Sequence, residues 1–115
     1  IMIQCKRVYE QASPEDGYRV LVDRLWPRGV KKTDLAYDEW CKALAPSNEL
    51  RKAFHSETLD LAAFSQAYRE ELAQHVDDGM RLAARAKKQT VTLLFAAKNT
   101  EQNHAQVLAD WLRHL

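Results

Sequence analysis

The stretch Thr90 to Ala97 is apolar on both faces when extended, because Val91, Leu93 and Phe95 are opposed by Leu94 and Ala96. A strand of that kind has no face to show to water, so it belongs in a sheet covered on both sides. Tyr18 to Leu25 repeats the pattern, with Val20 and Val22 opposed by Leu21 and Leu25. Two such strands in one short chain point to a parallel α/β arrangement. Met2 to Val8 alternates instead, setting Ile3 and Cys5 opposite Gln4 and Lys6, as a half-exposed strand does. Tyr37 to Leu44 reads as a strand, although Trp40, Cys41 and Leu44 also fit a helical period.

The helical periods are plainer. Ser47, after Pro46, suits the N-cap of a helix over Asn48 to His55, with Glu49 near its positive end. Asp60 can cap a second helix to about His75, carrying Leu61, Phe64, Tyr68 and Leu72 on one stripe. A third starts near Asp77 and runs through Leu82 and Ala86 to Lys88. In the last, His104, Val107, Leu108, Trp111, Leu112 and Leu115 share a single face. Its start is open, since Asn99-x-x-Gln102 and Asn103-x-x-Gln106 both resemble capping boxes. Asp16-Gly17 marks a turn between the first two strands. The expected fold is one small three-layer α/β domain over residues 1–115, with a mostly parallel central sheet of three or four strands flanked by helices.

Seventeen Lys plus Arg against sixteen Asp plus Glu leave a net charge of +1, so whole-chain charge recruits neither nucleic acid nor membrane. Cys5 and Cys41 have neither a disulfide framework nor the clustered spacing of a zinc site. The N-terminal stretch turns polar within a few residues, unlike a secretory signal, and no apolar run approaches the roughly 20 residues that span a bilayer. The expectation is a reduced, cytoplasmic protein without a membrane partner. Three scattered glycines make no Walker loop and no dinucleotide turn, and no cofactor is implied. Glu71 with His75, and Glu101 with His104, share helix faces, but one Glu–His pair does not make a metal site, and none is expected. The acids Glu57, Asp60, Glu70, Glu71, Asp77 and Asp78 read as a solvated helix face or as a surface for a protein partner.

Ligands of open parallel sheets bind beyond the carboxyl ends of the strands. Two loops occupy that position here. From Arg19 to Lys32, five cations (Arg19, Arg24, Arg28, Lys31, Lys32) face one acid, Asp23. The guanidinium fork matches phosphate or carboxylate, Pro27 stiffens the turn, and Gly29 allows close backbone approach. Arg24 and Arg28 are therefore candidate anion ligands, with Trp26 as a wall. The opposing reading pairs Arg24 with a nearby carboxylate, buries Trp26 and leaves the lysines solvated. The second loop, Lys98 to His104, adds Lys98 and a helix N-terminus, which favours anions. Asn99 and Asn103 are candidate ligand contacts there, or simple caps. His104 is a candidate for proton transfer, as are Asp23 and His55. Against that, His104 lies on the buried stripe, and a helix C-terminus explains His55 by itself.

Several separated motifs in these same regions carry a family likeness. They include Arg19-Val20-Leu21-Val22-Asp23-Arg24-Leu25-Trp26-Pro27-Arg28-Gly29, Leu44-Ala45-Pro46-Ser47, Leu50-Arg51-Lys52-x-Phe54-His55, Thr92-Leu93-Leu94-Phe95-Ala96-Ala97-Lys98 and Asn103-His104-Ala105. Together they closely resemble the YeaO-like family, a bacterial group within a larger domain family of unknown function. The resemblance implies a compact α/β fold in an intracellular bacterial protein, and it brings no activity, substrate or cofactor. Two functions from different classes remain in view. One is binding of, or action on, a phosphate- or carboxylate-bearing small molecule in a basic cleft. The other is a nucleic-acid or protein interaction module without catalysis.

Overall fold

The computed structural model describes residues 1–115. Four strands, β1 (Ile3–Arg7), β2 (Tyr18–Leu21), β3 (Glu39–Trp40) and β4 (Val91–Phe95), pair in the order β1-β4-β2-β3, all parallel. The two-faced strand β4 lies inside the sheet with every residue buried, where its pattern requires it to be. Its register sets Leu93 against Cys5 on one side and Val20 on the other. Helices α1 (Asn48–His55), α2 (Leu61–Leu72) and α3 (Val76–Ala86) lie between β3 and β4, and α4 (His104–Arg113) follows β4.

The sheet divides the apolar side chains into two sets. Ile3, Val20, Val22, Val91, Leu93 and Phe95 join the helical residues Leu50, Phe64, Tyr68, Leu82 and Leu108 in one core. On the other face Leu21 and Leu94 pack with Val8 and Leu35, flanked by Trp26, Val30 and Trp40, and no helical residue takes part. The parallel α/β domain is as expected, but the third layer is loop rather than helix. Trp26, Val30 and Leu35, from the chain between β2 and β3, supply much of that cover. A polar knot finishes it. Asp16, 2% exposed, accepts from Ser13 N, the Gln4 amide and Lys6 Nζ, and pairs with the buried Arg19. Arg19 Nε also donates to Ala36 O, and the Thr92 hydroxyl donates to Asp16 O at 2.6 Å. Arg19 is thus withdrawn from the basic loop in which its sequence position put it.

Local chemistry explains most element ends. Ser47, Asp60 and Asn103 cap α1, α2 and α4, each accepting from a first-turn backbone N–H at 3.2, 2.8 and 3.1 Å. Asn103 rather than Asn99 starts α4. Gln106 does not close a capping box, since its amide donates to Thr100 O. Two strands are shorter than their sequence patterns. β2 stops at Leu21, because the next residues turn away to build the loop layer. The strand expected over Tyr37 to Leu44 survives only as Glu39–Trp40, after which Lys42–Leu44 turns as a 3-10 helix. Helix α3 begins at Val76, and Gly79 lets it approach α4 closely, for a Cβ there would lie 2.4 Å from the Trp111 ring. No helix is long and apolar enough to cross a membrane.

Candidate functional site

Parallel pairing brings the carboxyl ends of β1, β2 and β4 to one edge, and there a cleft of about 350 Å³ opens. Its lining comes from the segments just after those strands, from the Asp23 to Arg28 turn, from α1, and from the start of α4. The two loops singled out in the sequence do meet. Of the nine candidate residues, Asp23, Arg24, Trp26, Arg28, His55, Asn103 and His104 line the cleft. Lys98 and Asn99 do not. β4 ends at Phe95, so Ala96 and Ala97 reach the cleft and the exposed Lys98 falls beyond them. Asn99 Oδ1 accepts from Glu101 N and Gln102 N, an Asx turn that holds its side chain within its own loop.

Most polar groups of the lining are already engaged within the protein. Asp23 Oδ2 accepts from Ala96 N at 2.9 Å, and Oδ1 lies 3.0 Å from His104 Nε2. That ring nitrogen is also 3.0 Å from Val22 O. Both neighbours are acceptors, so Nε2 carries the proton and Nδ1 is the free position. Asp23 and His104 together clamp the end of β4 and the start of α4 to the end of β2. Arg24 donates to Pro46 O at 3.0 Å and to Ala45 O at 3.3 Å, so no carboxylate partner explains it. The Trp26 indole donates to Val30 O, while its ring packs edge-on against Tyr37 and Trp40. The Asn103 amide donates to Asn99 O. Arg7 covers the carbonyls of Ala96 and Ala97.

Among the charged side chains of the lining, what stays unengaged is cationic. Arg28 and His55 are exposed, and neither side chain has a hydrogen-bond or ion-pair partner in the protein. Arg51, which the sequence reading passed over, lines the cleft with a buried Nε that no protein atom satisfies. The spacing Arg51, Phe54, His55 puts all three on one face of α1, and that 3–4 period was the signal available for finding it. Phe54 stacks on Phe64 with centroids 4.3 Å apart, giving the cleft a flat aromatic wall. No Ser, Thr, Cys or Lys lines the cleft. Elsewhere, burial pushes the Cys5 thiol up to about 11, only partly offset by Arg113, and burial raises Cys41 as well. Burial, reinforced by the Asp23 charge, lifts the Tyr68 hydroxyl well above its ordinary value, and it donates to Leu44 O. These groups are inert packing elements.

The clamp carries its own prediction. Asp23→Ala leaves Ala96 N–H without an acceptor and His104 with one of two, and lowers unfolding free energy by about 2 kcal/mol. Urea unfolding reads this directly. A midpoint equal to wild type removes the clamp from the account.

Residues 2–115 match the protein family described as the inactive DUF488-N3 subclade, DUF488-N3i. The uncharacterised protein YeaO of Escherichia coli K12 is 68% identical over 113 residues, which cover 98% of this chain and 98% of that protein. Uncharacterised proteins of Mycobacterium bovis and Mycobacterium tuberculosis H37Rv are each 41% identical over 113 residues, covering 96% of this chain and 92% of theirs. No solved structure matches the chain significantly.

Proposed function

The chain belongs to the YeaO-like family, matched here as the inactive DUF488-N3 subclade, and from that premise we propose that its cleft binds an anionic small molecule without turning it over. The ligand bears a phosphate or a carboxylate. Arg51 carries the reading. It lines the cleft and makes no side-chain hydrogen bond or ion pair within the protein, so its guanidinium is available to an oxyanion there. Arg28 adds a second guanidinium fork, and Arg24 a third whose remaining N–H groups are available. The one carboxylate of the lining, Asp23, is engaged internally, so the cleft has little to offer a cation.

Binding fits better than catalysis for two reasons. The lining holds no serine, threonine, cysteine or lysine, its one phenol, Tyr9, donates to Arg28 O, and the family's description as inactive agrees with that. Asp23 and His104, candidates for proton handling by sequence, act in this proposal as positioning residues that hold the floor. His55 supplies a further donor to the anion at the rim, and Trp26 closes a wall. Lys98 and Asn99 have no part in it.

In thermal unfolding, excess pyrophosphate or ribose 5-phosphate raises the Tm by several degrees, since a ligand at 100 times its Kd adds about 2.7 kcal/mol. Arg51→Ala folds normally, because the side chain makes no internal hydrogen bond, and binds at least about tenfold more weakly. A variant stabilised as much as wild type, or a wild type unmoved by either anion, sinks the reading.

A further inference from the structure

Resting on that anion-binding reading, we propose that the cleft takes a nucleotide unit, a planar heteroaromatic ring carrying a phosphate, and does not discriminate which base it carries. Size is the first ground. About 350 Å³ is room for roughly twelve waters at ~30 Å³ each, well beyond one orthophosphate. The walls are the second. Tyr9, Trp26, Phe54 and the imidazole of His55 put four partly or fully exposed rings among the lining residues, with the buried Phe64 stacked behind Phe54. Aromatic side chains at that density stack a nucleobase, and they tolerate any of them because every base has a π face.

The third ground is the shortage of acceptors. Base identity is read by matched donors and acceptors. Here the Asp23 carboxylate holds Ala96 N and His104, and the Asn103 side chain holds Gln106 N and Asn99 O. The carbonyls of Ala96 and Ala97 accept from Arg7. With those groups engaged, the side-chain acceptors left are imidazole nitrogens of His55 and His104, too few to read a base edge, so the cleft selects for charge and planarity. The surroundings fit the same chemistry. Arg28, Lys31, Lys32 and Lys98 are exposed on the loops that form the cleft or adjoin it, and none is within ion-pair distance of a carboxylate. Lys32 Nζ lies 5.9 Å from the Trp26 ring. The unit can therefore arrive free or as part of a single strand whose flanking phosphates meet those cations.

Isothermal titration of the whole protein with AMP, UMP, ribose 5-phosphate, adenosine and a five-residue oligothymidylate tests this. AMP and UMP bind within about threefold of one another and about tenfold tighter than ribose 5-phosphate. Adenosine binds at least about tenfold more weakly than AMP, having lost the phosphate that Arg51 and Arg28 hold. Ribose 5-phosphate as tight as AMP overturns the nucleotide assignment and leaves the anion reading standing. Adenosine as tight as AMP, or more than about tenfold preference for one base, overturns it too. No binding by any of the five probes removes both readings. An oligothymidylate tighter than UMP, and steeply weakened by salt, supports the unit as part of a strand; one no tighter supports the free nucleotide. Tyr9→Leu and Tyr9→Phe both lose the hydroxyl's bond to Arg28 O, so the ring is read from their difference: Tyr9→Leu binds AMP about fivefold more weakly than Tyr9→Phe, and the two bind ribose 5-phosphate alike. A Tyr9→Leu protein that loses both ligands equally relative to Tyr9→Phe overturns the stacking role.

Discussion

Asp16→Ala lowers the unfolding free energy by about 3–5 kcal/mol, a large share of what a domain of this size possesses. The loss arises from what remains. Arg19, with a side chain 7% exposed, keeps only its bond to Ala36 O and becomes a buried cation with no counter-charge. Lys6, 18% exposed, reaches water more easily, so Lys6→Met costs much less. The same residue sets an acid limit. Burial by itself pushes the Asp16 carboxyl up, but hydrogen bonds from Ser13 N, Lys6 and Arg19 outweigh it and hold its pKa below the ordinary value. A carboxyl depressed in the folded state adds stability that is complete above its unfolded pKa, near 3.9. That stability disappears as pH falls through the lower folded value. Wild type therefore loses stability below about pH 4, and Asp16→Ala shows a flatter acid profile. Urea titrations at pH 7 and across the acid range measure both effects. Equal midpoints at pH 7 refute the first.

Gly17→Ala costs about 3 kcal/mol or more, with a drop in Tm of roughly 10 °C. Gly17 has φ +62° and ψ −126°, a region that side-chain-bearing residues scarcely enter. A Cβ there would also lie 2.2 Å from Thr90 O. That oxygen accepts Tyr18 N at 2.9 Å, the bond that starts the pairing of β2 beside β4, so the clash cannot be relieved without opening the sheet. Gly29 is the internal comparison. Its φ is +75°, but nothing lies within 4 Å of the added carbon, so Gly29→Ala costs only about 1–2 kcal/mol of left-handed strain. Thermal melts of the two variants side by side should differ clearly, and indistinguishable melts would contradict the steric argument.

The parts of this molecule that were legible from sequence are those where one residue type has one physical solution. A strand apolar on both faces must be interior, and β4 is. Ser47, Asp60 and Asn103 cap helices because few other side chains satisfy a first-turn N–H. The convergence of the two loops followed from parallel strands ending at a common edge. What sequence did not disclose depends on partners distant in the chain. Arg19 looked like one more loop cation until the fold placed it against Asp16. Arg24 was weighed against a carboxylate, yet two backbone carbonyls hold it. Arg51 sat inside a well-capped helix and attracted no notice, since its want of a partner is a property of the assembled core. Lys98 and Asn99 fell outside the cleft by the few residues between the expected and actual end of β4.

The spatial order of the strands also dictates when the protein can fold. The strand that joins β1 to β2 is the last of the four in the chain, so before it is in place β1 has no partner and β2 pairs only with the two-residue β3. Sheet and core must await residues 91–95, and until then Val20, Leu21 and the apolar stripes of the first three helices have nowhere to bury. Folding therefore waits on a pairing of strands far apart in the sequence, which makes it slow for a domain of this size.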